Sequence, residues 1–151
     1  RFEDCFLAGG ASNCGAGILG RYFTAEQIEE LSTHLDPDQD TGLGYYPLPS
    51  PGERFPYAEP GLQPLIAPRP ESDAEFLQGL MEGLAAVEAQ GYQRLEELGA
   101  PRLSRVISVG GGAPNPAWLR IRERYLGVPV SVAEQTEAAY GAALIAHRCM
   151  Q

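Results

Sequence analysis

The chain has 151 residues, 44% of them hydrophobic, and a formal charge of −9. That length suits one domain with a real core, and the composition is that of a soluble acidic globular protein. The negative balance argues against nucleic acid or an anionic membrane as the main partner, and no apolar run approaches the roughly 18 residues that span a bilayer.

Phe2 to Ala8 reads as a strand with a polar interruption at Glu3 and Asp4. Arg1 opens partway into that pattern, with no signal peptide visible, so a fragment of a longer protein is expected. Gly9 and Gly10 follow, then the N-cap types Ser12 and Asn13 and a small-residue segment through Leu19. Thr24 with Gln27 predicts a capping box for a short helix to about Leu35. Residues 36–71 are rich in proline and glycine and predict an ordered, irregular excursion. Tyr45, Tyr46, Phe55 and Tyr57 argue against plain disorder there. Ser72 and Glu75 then predict a second capping box. It opens the longest helix, whose stripe from Phe76 through Met81 to Leu95 reads as core and ends at Gly99.

Arg105 to Val109 is a β-branched, largely apolar run that predicts a buried strand. Gly110, Gly111 and Gly112 come directly after it, and Asn115 and Pro116 predict a helix start immediately beyond. Trp118, Ile121 and Tyr125 share one face of that helix, and Gly127 predicts its stop. Bare glycine main chain before a helix N-terminus suits a phosphate or a polar ligand edge, and it equally makes a tight turn with no ligand. Val128 to Val132 predicts a second strand. Thr136 predicts the cap of a last helix from Glu137 to about Arg148, with Gly141 allowing close packing. The glycine turns near residues 10 and 111 have the same layout, so they are expected to face each other across one cleft.

Several chemistries are excluded by residue type. There is no lysine; all 11 basic residues are arginine, so neither a Walker A loop nor a Schiff base can form. Two histidines, His34 and His147, are too few for a three-histidine zinc site. Three cysteines, Cys5, Cys14 and Cys149, lack metal spacing and fit a reducing compartment. Asp36, Asp38 and Asp40 begin like a calcium loop, but Thr41 and Pro47 stand where glycine and glutamate are needed. A solvated acidic loop is expected there. Arg120, Arg122 and Arg124 are read as surface ion-pair formers.

The segment GGGAPNPAWLRIRERYLGVPVSVAEQTEAAYGAALIA resembles the C-terminal signature of the FGGY carbohydrate kinases. GGASNCGAGIL resembles that family's Gly-Ala-Ser turn, and Gly52, Glu53, Arg54 and Pro56 resemble its Gly-Glu-Arg-x-Pro loop. These three segments stand in the family's order, and the resemblance covers nearly the whole chain, closest to the ribulokinase and xylulokinase-like branch. The resemblance implies an α/β fold, a ribonuclease H-like (actin-like ATPase) domain with a mixed sheet flanked by helices. Residues 1–151 would be the C-terminal nucleotide-binding domain, with the N-terminal sugar-binding domain outside the chain. It implies ATP/ADP as ligand, Mg²⁺ in the full-length enzyme, and γ-phosphoryl transfer to a sugar hydroxyl, a pentulose such as ribulose or xylulose.

Gly111, Gly112 and Asn115 match the motif that contacts adenine and its ribose-phosphate, and Gly10 matches the glycine on the other side of the adenosine. Asn13 and Cys14 occupy the turn that faces the base, where Cys14 departs from a polar residue of some relatives. Trp118 either borders the adenine pocket or packs as a core aromatic. Glu53 and Arg54 are expected to fix a loop through buried polar contacts. The catalytic aspartate and most sugar contacts are expected upstream of Arg1, so no catalytic or metal-binding residue is assigned, and the 151 residues alone are expected to be inactive. The resemblance also implies a cytoplasmic enzyme, or an organellar one that has lost a transit peptide, and leaves a homodimer open. A nucleotide-sensing or assembly module and another actin-like ATPase are the alternatives.

Overall fold

A computed structural model describes residues 7–110 and 112–149. The strand expected at 2–8 falls mostly outside them, as does Gly111. A short 3-10 helix, Ala16–Arg21, leads into α1, Ala25–Ser32. The excursion follows, then α2, Asp73–Glu97. Beyond it come β1, Val106–Ser108; α3, Pro116–Leu126; β2, Val130–Val132; and α4, Ala138–Cys149.

The cap residues act as their chemistry requires. The Thr24 hydroxyl accepts from the Gln27 N–H while the Gln27 side chain accepts from the Thr24 N–H, closing the capping box. Ser72 accepts from the Glu75 N–H at the start of α2, which is one half of the capping box expected there. Asn115 Oδ1 accepts from the Trp118 N–H with Pro116 beside it, and α3 ends at Gly127, which takes φ +66. α1 is shorter than expected, closing at the Thr33 cap.

β1 and β2 pair in parallel, Val106 with Val130 and Ser108 with Val132, and α3 is the crossover between them. The described residues therefore hold a small parallel sheet where a mixed one was expected. α4 is exposed from Tyr140 to His147.

α2 is the axis of the core. Phe76, Leu77, Leu80, Met81 and Leu84 are buried against Ile18, Leu19, Phe23 and Ile121. The Phe76 ring meets Tyr22 at 5.1 Å and Tyr45 at 5.8 Å between centroids, both edge to face. The excursion is ordered because α2 offers it a groove. A Cβ at Gly83 would stand 2.5 Å from the Tyr45 carbonyl oxygen, and one at Gly79 2.6 Å from Leu43. These two glycines, four residues apart and so on one helix face, let Leu43, Tyr45 and Pro47 lie directly on the helix backbone.

The arginines of α3 correct the surface reading. Arg122 is 8% exposed. It makes a two-pronged pair with Glu88 of α2, at 2.7 and 2.6 Å, and also donates to the Ser108 hydroxyl of β1. Arg124 donates to Glu82 at 2.7 Å and to Asp40 at 3.2 Å. Arg120 alone is a surface pair former, reaching Asp38 at 2.6 Å. The acidic loop and the basic helix are thus each other's partners, and Asp40 also accepts from the Tyr125 hydroxyl at 2.7 Å.

Candidate functional site

Two hollows flank α2 and adjoin at Leu84, where a single cleft was expected. The larger, about 890 Å³, opens between α1, the 3-10 helix and the start of α3. Its apolar surface comes from Leu19, Ile28, Met81, Leu84 and Trp118. Gly112 and Asn115 form its rim on the α3 side, and Glu29, Ser32 and Thr33 its rim on the α1 side. A volume in this range with an apolar floor and few polar groups suits a small organic ligand.

Gly110 takes φ +101, a conformation that favours glycine, and so turns the chain out of β1. At Gly112 a Cβ would meet nothing within 4 Å, so the missing side chain leaves space beside the hollow instead of admitting a neighbour. Asn115 is held at both ends: Oδ1 caps α3 and Nδ2 donates to the Ser32 hydroxyl at 2.7 Å. The amide keeps one N–H and one lone pair beyond these bonds. Trp118 lines the hollow and also packs half-buried against the core.

Gly10 and Asn13, two further predicted site residues, lie elsewhere. Gly10 borders the smaller hollow, about 340 Å³. A Cβ there would stand 2.6 Å from the Phe55 ring, so its bareness admits Phe55 and the two glycine turns do not face one another across one space. The Asn13 amide nitrogen donates to the Gly52 carbonyl at 2.9 Å, tying the first turn to the excursion. Cys14 lines the smaller hollow as well. Burial and the nearby Glu53 charge push its thiol up to about 12, which keeps it protonated and unreactive at neutral pH.

Glu53 organises this second region. It is buried and accepts from the Ser12 hydroxyl at 2.7 Å, the Asn13 N–H at 2.7 Å, the Arg54 N–H at 2.8 Å and the Tyr46 hydroxyl at 3.1 Å. Burial alone would raise its pKa. The donors from Asn13, Ser12, Arg54 and Tyr46 outweigh that and hold it below the usual carboxylate value. The expected loop-fixing role thus falls to Glu53 alone, for the Arg54 side chain is exposed.

The larger hollow fits the uncharged part of a nucleotide. No cationic side chain lines it among the described residues, so it offers a purine an apolar bed but nothing to neutralise phosphates. Among the described residues no three His, Cys, Asp or Glu side chains are grouped to seat a metal ion.

Sequence reading missed the second wall of this hollow. Ala25, Ile28, Glu29 and Ser32 recur at helical spacing and place one face of α1 along it. The sequence predicted the short helix from its cap at Thr24, but not what that helix faced.

The profile of the FGGY family of carbohydrate kinases, C-terminal domain, matches residues 2–150. L-fuculokinase of Escherichia coli K12 is 37% identical over 70 residues, which are 46% of this chain and 15% of that protein. L-fuculokinase of Salmonella typhi is 29% identical over 68 residues, 45% of this chain and 14% of that protein. Xylulose kinase from Bifidobacterium adolescentis superposes over 83% of this chain and 26% of its own, with a TM-score of 0.59 at 18% identity, which is a likeness of fold. The chain therefore spans a small part of the length of the kinases it resembles. With a match running from residue 2 to residue 150, this chain belongs to the FGGY family of carbohydrate kinases, as its C-terminal domain.

Proposed function

We propose that the hollow beside Gly112 takes the nucleoside end of ATP and that the chain is the nucleotide-binding part of a sugar kinase. In the whole protein, the γ-phosphoryl group would pass to a sugar hydroxyl, a pentulose such as ribulose or xylulose. The single observation that carries the reading is the unfilled space at Gly112, set between an apolar floor and a polar rim. Family membership supports ATP as the ligand.

Phosphoryl transfer needs positioning, divalent metal and charge stabilisation around the transferred group. This chain's own residues contribute the first of these at the nucleoside. Gly112 leaves room, Trp118 and Leu19 supply apolar surface, and Asn115, held by Ser32, fixes the turn. The phosphates, Mg²⁺ and the catalytic aspartate would be served by the rest of the kinase, and the two parts would close over the substrates in the cytoplasm. The ribonuclease H-like layout of the complete domain belongs to the same proposal, supported by the fold likeness to xylulose kinase.

The test is a coupled phosphotransfer assay of the full-length protein against ketoses and polyols. Turnover of a pentulose supports the reading, and so does its absence from the 151-residue chain alone. Phosphorylation by this chain alone would overturn the division of labour.

A further inference from the structure

The α1 rim of the larger hollow carries three polar side chains, and two of them are already committed. The Ser32 hydroxyl donates to the Ile28 carbonyl at 2.6 Å and accepts from Asn115 Nδ2 at 2.7 Å. Thr33 Oγ1 donates to the Glu30 carbonyl at 2.7 Å. Glu29, one turn before Ser32 on the same face, lines the hollow with no protein partner among the described residues. It is also the only charged side chain among those residues that line the space.

A lone acidic group at the edge of an apolar bed has a definite ligand preference. It repels phosphate, so it cannot serve the charged end of a nucleotide. It accepts hydroxyl protons well, and a carboxylate with two oxygens can take two neighbouring hydroxyls at once. In dinucleotide-binding folds an acidic side chain reads a ribose in this way. Here the same chemistry arises on a different scaffold, with the carboxylate on a helix whose position against α3 is set by the Ser32–Asn115 bond.

We propose that Glu29 accepts the 2′- and 3′-hydroxyls of the nucleoside ribose and selects ribonucleotides over deoxyribonucleotides. The proposal rests on the reading of the larger hollow as a nucleoside site. It also orients the ligand: base on the apolar floor, ribose at the α1 rim, phosphates leading away from Glu29 and out of this chain.

The test is calorimetric titration of the 151-residue chain with adenosine, 2′-deoxyadenosine and adenine. The unsubstituted chain should prefer adenosine over its deoxy analogue by about tenfold, the worth of one charge-assisted hydrogen bond. Glu29→Gln should remove that preference, leave adenine binding unchanged and keep the helical circular dichroism of the parent. Glu30→Gln, next along α1 but outside the hollow, should keep the preference. Equal affinity for adenosine and its deoxy analogue in the unsubstituted chain would overturn the ribose assignment while leaving the nucleoside site intact. Equal weakening of adenine in Glu29→Gln would overturn it in favour of a base contact. Failure of all three ligands to bind the unsubstituted chain would overturn both readings.

Discussion

The glycines on α2 and the glycine before α3 make opposite uses of the same missing side chain. Gly79 and Gly83 are filled by the chain itself, with Leu43, Tyr45 and Pro47 seated where a Cβ would stand. Gly10 is likewise filled by Phe55. Gly112 has nothing within 4 Å and borders about 890 Å³ of open space. A bare backbone position therefore offers room to a ligand only where the fold leaves it empty and a hollow adjoins it, and a glycine run alone does not say which case holds.

Substitution should separate the two kinds. Gly83→Val drives a branched side chain into the Tyr45 carbonyl and should cost about 3 kcal/mol or more, read as a drop in the urea midpoint. Gly112→Val should stay within about 0.5 kcal/mol of the parent, since its site is exposed and empty. Equal destabilisation by both would erase the distinction.

The polar contacts divide the same way. Glu82 is buried and accepts from Arg124, Gln78 and Thr41, so Glu82→Leu leaves Arg124 with Asp40 alone, removes the acceptor of Gln78 and Thr41, and should cost about 2–4 kcal/mol. The Asp38–Arg120 pair lies at the surface, and Asp38→Asn should cost about 0.5 kcal/mol or less.

Glu53 gives a smaller effect with a pH signature. Its folded pKa lies below the ordinary 4.5. The stability it contributes is therefore present above about pH 4.5 and is lost as pH falls through the lower folded value. Glu53→Gln should cost about 1.5–3 kcal/mol at pH 7 and narrow toward the parent as both are acidified below pH 4.5. A gap that stays constant from pH 7 to pH 3 would contradict the charged, multiply bonded carboxylate.

Local chemistry was legible in the sequence, and long-range pairing was not. The caps at Thr24, Ser72, Asn115 and Gly127 depend on neighbours within four residues, so residue type and spacing announce them. The family motifs were legible for the same reason. Arg122 and Arg124 looked like surface charges because their partners Glu88, Glu82 and Asp40 stand 34, 42 and 84 residues away. Helical spacing does mark Glu82 and Gln78 as lying on α2, but it cannot say that the excursion returns to cover them. The excursion itself read as irregular because its order comes from Gly79 and Gly83 of another element. Within the site, Gly112, Asn115 and Trp118 were legible together. Gly10 borders the smaller hollow, because Phe55, 45 positions later, takes the space that it leaves.

The central claim is that the empty backbone position at Gly112 is where the nucleoside end of ATP rests. The most direct measurement is calorimetric titration of the 151-residue chain with ADP beside Gly112→Val at matched thermal stability. The account predicts saturable one-to-one binding by the parent and its loss in the variant. Undiminished binding by Gly112→Val would contradict it.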